Sequence, residues 1–236
     1  MKIAGFAAAL LLFGCSTGEG TGSVTSDKLY VENCWDGPFN LQPTFFASDP
    51  FEDTQEIRIQ RGDRIVEESD GVLFTVSNVS KIRSTQLGHE IALGLPVGVR
   101  PPGFPITVDA NPPEVNMSVY LNDTCHLQNG ALYAVSGSIK FNSLFSGNRN
   151  ENNADARLTD AEFTAVVTDP RDATLGAAGG SAGDAGESDA GDAATTVVAS
   201  TGAGATTIRY NPAHESTVTG NFRFFFQRGI PAQPFP

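Results

Sequence analysis

Ala131-Leu132-Tyr133-Ala134-Val135-Ser136-Gly137-Ser138-Ile139-Lys140-Phe141-Asn142 is the stretch that decides the fold. Read with a period of two, it places Ala131, Tyr133, Val135, Gly137, Ile139 and Phe141 on one face and Ser136, Ser138, Lys140 and Asn142 on the other. Alternation of this kind belongs to a strand with one face buried and one in water. Asn129-Gly130 just before it has the composition of a tight hairpin turn.

The same period recurs on both sides. Ile57 and Ile59 alternate with Arg58 and Gln60, then Gly62-Asp63 marks a turn before Ile65. Val72, Phe74 and Val76 form a second set, and Met117, Val119 and Leu121 a third. Phe163 with Val166-Val167 suggests a further strand, and Val218 to Phe226 carries Phe222, Phe224 and Phe226 on one face. Convincing apolar runs at helical spacing with caps are missing. Pro101-Pro102 and Pro112-Pro113 cut the chain into short pieces. The expected fold is therefore all-β, a single β-sandwich, immunoglobulin-like or related, with irregular Pro/Gly loops.

One internal likeness stands out. Val135-Ser136-Gly137-Ser138-Ile139-Lys140-Phe141 and Val218-Thr219-Gly220-Asn221-Phe222-Arg223-Phe224 share the order Val, hydroxyl, Gly, small polar, apolar, basic, Phe. We expect two strands that pair in one sheet, each with a glycine where a neighbour packs closely and a basic residue facing water. A duplicated array would recur at least three times.

Two stretches fall outside the strand pattern. Ser16 to Asp27 is built mainly of Ser, Thr and Gly and reads as a flexible tether. The tract from about Ala173 to Thr206 is rich in Ala, Gly, Asp, Ser and Thr. It has too few large apolar residues to offset the entropy of ordering it. It is expected to be a disordered insertion, at about 173–206, that interrupts one β domain over 28–236. What remains is ample for one hydrophobic core.

The first residues carry an address. Met1-Lys2 is followed by an uncharged run from Ile3 to Phe13, then Gly14-Cys15. A membrane-crossing helix needs about 20 apolar residues, and this run is about half that. It has the outline of a signal peptide over 1–14. Leu12, Gly14 and Cys15 resemble the lipobox of type II signal peptides, which marks bacterial lipoproteins. That resemblance implies a diacylglycerol on the Cys15 thiol, cleavage before Cys15, a lipidated tether over 15–27, and a protein held on a membrane without spanning it. Two or three acyl chains give stable attachment where one is marginal. Ser16 after the cysteine resembles an outer-membrane address. The strand Gly220-Asn221-Phe222-Arg223-Phe224 also resembles the closing strands of uncharacterised exported bacterial β-sandwich lipoproteins, a likeness that implies no activity.

Cys34 and Cys125 are then an even pair in an oxidising compartment, and a disulfide is the expected pairing. On the chain-entropy account it would stabilise the fold by about 4 to 5 kcal/mol. A zinc site is the alternative, and it needs more ligands than two isolated cysteines and the scattered His89, His126 and His214 supply. Trp35 beside Cys34 is expected to shield the disulfide, and Phe45-Phe46 to be core.

Composition narrows the partners. The chain carries 15 basic and 27 acidic residues, and loss of 1–14 removes Lys2 and no acid. Such a surface repels phosphate backbones, so no nucleic-acid partner is expected. Other motifs are weak. Gly179-Gly180-Ser181-Ala182-Gly183 has the letters of a hydrolase elbow, but no strand and helix flank it. Arg61-Gly62-Asp63 reads as an ordinary turn. Asn148, Asn150, Glu151, Asn152, Asn153, Asp155 and Asp160 offer oxygen ligands without EF-hand spacing, because Asn153 and Thr159 stand where Gly and Glu are required. No catalytic residue, metal site or cofactor is assigned.

The expectation is a lipid-anchored, non-enzymatic envelope module, bound to the membrane through its anchor and to another envelope protein or a glycan through its surface. The second class left open is an envelope hydrolase whose paired carboxylates come from distant strands, and the third is a structural coat or spacer in which the tract from Ala173 to Thr206 matters more than any site.

Overall fold

The structure is a computed structural model that describes residues 19–96, 112–126, 131–148, 150–176, 196–201 and 204–227. The signal peptide, Cys15, the Asn129-Gly130 turn and the Gly179 to Gly183 motif lie outside the described residues.

The chain is all-β. Ten strands form one sheet in the order β2-β1-β13-β9-β8-β6-β7-β5-β4-β3. They are β1 (Glu19–Val31), β2 (Trp35–Leu41), β3 (Phe45–Phe51), β4 (Thr54–Gln60), β5 (Asp70–Ser77), β6 (Glu90–Gly94), β7 (Val115–Leu121), β8 (Ala131–Ser143), β9 (Leu158–Thr168) and β13 (Ser216–Phe225). Every pairing is antiparallel except β6 with β7. Among the described residues helix is confined to short turns such as α1 (Val79–Lys81) and α2 (Asn122–Cys125).

The sheet folds over on itself. β2 and β3 are its opposite edges, yet only Gln42, Pro43 and Thr44 join them. That link reaches about 14 Å, whereas the edges of a flat ten-stranded sheet stand about 43 Å apart. The core shows the same closure: Phe74 of β5 packs against Phe163 of β9 at 5.0 Å and Phe222 of β13 at 5.4 Å, although several strands separate them in the sheet. Phe46 of β3 stacks on Phe224 of β13 at 5.6 Å. Two facing layers thus enclose one apolar core that includes Ile57, Ile59, Val72, Val76, Met117, Val119 and Leu121, the residues read as inward-facing from their spacing.

Three expectations need correction. Glu19 to Asp27, read as tether, form the first part of β1 and pair with β13 and β2. Val24 is buried there, and Gly20 and Gly22 stand opposite Phe224 and Phe222, where a Cβ would collide with the partner strand. Glycine that reads as linker composition is here a packing residue.

At the two ends of the tract read as an insertion, strands β10 (Thr174–Gly176), β11 (Thr196–Thr201) and β12 (Gly204–Arg209) form a three-stranded sheet separate from the main one, in the order β10-β12-β11. The β-branched runs Thr196-Val197-Val198 and Thr206-Thr207-Ile208 favour extended pairing locally. Residues 177–195 lie outside the described residues, and the main sheet resumes at β13 as expected.

The deciding stretch does not keep one face throughout. A register shift between Ala134 and Ser136 leaves Val135 as an extra residue against β9. Such a bulge reverses the phase. Leu132, Ala134, Ile139 and Phe141 join the main core, while Val135 packs with Tyr210 in a separate small cluster. Finally, the two look-alike segments in β8 and β13 do not pair with each other; they flank β9 on either side.

Candidate functional site

The outer face of the layer β1-β13-β9-β8-β6 is polar over most of its length because the inner residues take most of the apolar positions. Alternation leaves one row of Ser23, Asn221, Glu162, Lys140 and Glu90, each directly paired in register with the next across five strands. Two residues along each strand, a second row runs Thr25, Thr219, Thr164 and Ser138. Neighbouring strands stand about 4.8 Å apart, so each row extends for roughly 15 to 20 Å.

The rows line a shallow trough of about 370 Å³. Phe163 also borders it, but its ring turns inward against Phe74 and Phe222. A second hollow of about 350 Å³ shares Thr25 and Thr219 and continues toward Asp27 and Lys28. Side chains within the trough already bond to one another: the Thr25 and Thr219 hydroxyls are 3.2 Å apart, and Asn221 Nδ2 donates to Ser23 Oγ at 3.5 Å. Lys140 Nζ pairs with Glu162. The hydrogen bond and charge of Glu162, with Glu90 on the other side, hold the Lys140 ammonium above its ordinary range. Arg223 and Asp160 add an ion pair at 3.6 Å beyond the rows. The surface thus offers hydroxyl, amide, carboxylate and ammonium groups in a regular array, suited to a ligand rich in hydroxyls.

At the end of the sandwich where β1 turns into β2, the Cys34–Cys125 disulfide is formed, with the Cα atoms 5.5 Å apart. It joins the β1–β2 turn to α2, which follows β7, and so ties one layer to the other. Cys34, Trp35 and Cys125 are partly buried against the main core. Hydrogen bonds set α2 in place. Asp70 accepts from the Thr124 backbone N–H at 3.0 Å and from its hydroxyl, and Asn122 Nδ2 donates to the Val66 carbonyl at 2.8 Å. Nearby, the Tyr120 hydroxyl donates to Gln60 Oε1 at 2.9 Å, and burial pushes the phenol well above its usual range. The buried Arg58 guanidinium lies over the Phe45 ring, 4.9 Å from its centre. Phe45 is therefore buried as expected, but under a cation and outside the main cluster that holds Phe46.

The histidines do not converge. His214 stacks on Tyr30 at 4.2 Å with its Nδ1 2.9 Å from Asp172 Oδ2, which ties the approach to β13 onto β1 and the end of β9. His126 caps α2 with a left-handed backbone, φ 49°, and His89 is exposed. In the Asn/Asp-rich loop, side-chain oxygens of Asn148, Glu151 and Asn153 accept from backbone N–H groups two residues on. Among the described residues no group of three or more His, Cys, Asp or Glu is gathered for a metal. Gly62 of Arg61-Gly62-Asp63 takes φ 79° in the loop after β4, and its N–H donates to Thr44 Oγ1 at 2.9 Å, as an ordinary turn would.

The trough was not foreseen from sequence. Its residues read as the wet faces of separate strands, and only the register of five strands lines them up. Comparison with known proteins finds no matching family model, no matching curated protein and no matching solved structure.

Proposed function

We propose that this protein is a lipid-anchored, non-enzymatic module of the bacterial cell envelope that binds an extended glycan along the polar trough. The anchor reading rests on Leu12, Gly14 and Cys15; the binding reading rests on the two register-aligned rows. Hydroxyl and amide groups at a regular spacing match a polymer whose own hydroxyls repeat, and the second hollow lengthens the track.

The test is titration of the purified protein with solubilised cell-wall glycan and outer-membrane polysaccharide, for wild type and a Thr164→Val, Thr219→Val double variant. Loss of two net hydrogen bonds should weaken binding about 10- to 100-fold. Binding that is equal in the two proteins would remove the trough from the reading.

A second reading has one observation in its favour. Glu162 and Glu90 flank Lys140 on one row, which brings two carboxylates from distant parts of the chain to one surface. An envelope hydrolase could use such a pair. Release of reducing ends from the polymer by wild type, abolished in Glu162→Gln, would replace the first reading with this one.

A further inference from the structure

We propose that the end of the sandwich carrying Glu19, Phe51 and Phe225 is a bilayer-contacting surface, with both phenyl rings at the headgroup boundary of the membrane that holds the anchor. This rests on the reading of Cys15 as the lipidated residue.

Because β1 begins at Glu19, only Ser16, Thr17 and Gly18 separate the folded domain from Cys15. Fully extended, that link reaches about 14 Å. β1 itself runs 13 residues from Glu19 to Val31, roughly 40 Å of strand. The Glu19 end therefore faces the bilayer closely, and the disulfide end is too far away to do so.

Two exposed phenylalanines lie at the near end. Phe225 is the direct register partner of Glu19 and is 38% exposed. Phe51, at the tip of the β3–β4 hairpin, is 71% exposed. A chain of contacts places them on one end. Pro50 lies next to Gly147, whose loop carries Phe145, and Phe145 stacks on Phe226 at 4.2 Å. In water such exposure gains nothing; at a headgroup boundary an aromatic ring buries apolar area. Glu52 and Asp53 adjoin Phe51, and the chain is acidic as a whole, so the contact is apolar in character and suited to a zwitterionic surface. Ile65, the third exposed large apolar residue among the described residues, sits in the β4–β5 loop, at the opposite end of β4 from Phe51.

That placement supplies the control. Lipidated full-length protein, carrying Trp35→Phe to silence its one tryptophan, would be reconstituted in phosphatidylcholine vesicles with brominated acyl chains. Phe51→Trp and Phe225→Trp should each lose most of their emission to the bromines, and Ile65→Trp should lose none. Emission of Phe51→Trp and Phe225→Trp as strong as that of Ile65→Trp, in protein that floats with the vesicles, overturns the proposal. Wild-type protein that fails to float, or a Cys15→Ala variant that floats equally well, overturns the anchor reading and the proposal with it. Flotation reads the anchor and quenching reads the facing surface, so the two failures are distinguishable.

Discussion

Gly220 of β13 faces Phe163 of β9 directly in register, and the phenyl ring fills the space a side chain at 220 would take. A Cβ there would stand 2.6 Å from the ring and 2.6 Å from the Ser23 carbonyl oxygen. The ring cannot retreat freely, because Phe74 meets it edge-on at 5.0 Å. Gly220→Ala should therefore destabilise the fold by about 2 kcal/mol, in the range of overpacked cores. Gly37→Ala meets nothing within 4 Å and should be close to neutral. Urea unfolding of the two variants side by side checks this; equal midpoints would show that the glycine is not needed for the ring.

The disulfide closes a separation of 91 residues between the two layers. Its loss in Cys34→Ser, Cys125→Ser should cost roughly 4 kcal/mol on the chain-entropy account. Asp70→Ala leaves the cysteines in place but removes the acceptor for two Thr124 donors that position α2. It should cost about 2 kcal/mol, the net worth of hydrogen bonds made to a charged, buried acceptor. If reduction with dithiothreitol leaves the thermal midpoint unchanged, the staple carries no stability.

Glu56 on β4 faces Asp49 across the β3–β4 pair. Partial burial and then the Asp49 charge push its carboxyl above the ordinary value, and Arg58 only partly opposes them. A raised folded-state pKa means that the native state holds this proton more tightly than the unfolded chain. The group therefore weakens the fold once pH rises above its folded value, and the penalty disappears below the usual carboxylate range. Glu56→Gln should raise the urea midpoint at pH 7 and leave it unchanged near pH 3. A variant less stable than wild type at pH 7 would reverse the sign and refute the argument.

What could be read in advance follows from how local each cause is. Val72, Phe74 and Val76, or Met117, Val119 and Leu121, declare a buried face through their own spacing, and each set lies in the core. Cys34 and Cys125 declare a pair by number. Val135 does not announce that it is the extra residue of a bulge, because that depends on how β9 lies against β8. The first part of β1 resembles a linker because its side chains are small, and the reason for its glycines is the close approach of the β13 backbone at Phe222 and Phe224. The polar rows are the least legible of all. Their residues come from five strands, and their alignment exists only once strand order and register are set.

That alignment makes the rows separable from the stability of the sheet. Thr164 and Thr219 are neighbours across β9 and β13 on the outer face. Valine has the same shape and an equal or better strand preference, so Thr164→Val with Thr219→Val should shift stability by less than about 1 kcal/mol. Lys140→Met removes a surface ion pair with Glu162 and should cost a similarly small amount. If the rows bind a hydroxylated polymer, both variants lose affinity while their unfolding midpoints stay close to wild type, and Gly71→Ala on β5, whose Cβ would collide with Tyr120 away from the trough, shows the reverse, a lowered midpoint with binding retained below it. Paired titration and urea curves on the three proteins decide the matter: affinity that follows stability in every variant would mean the rows only cover the sheet.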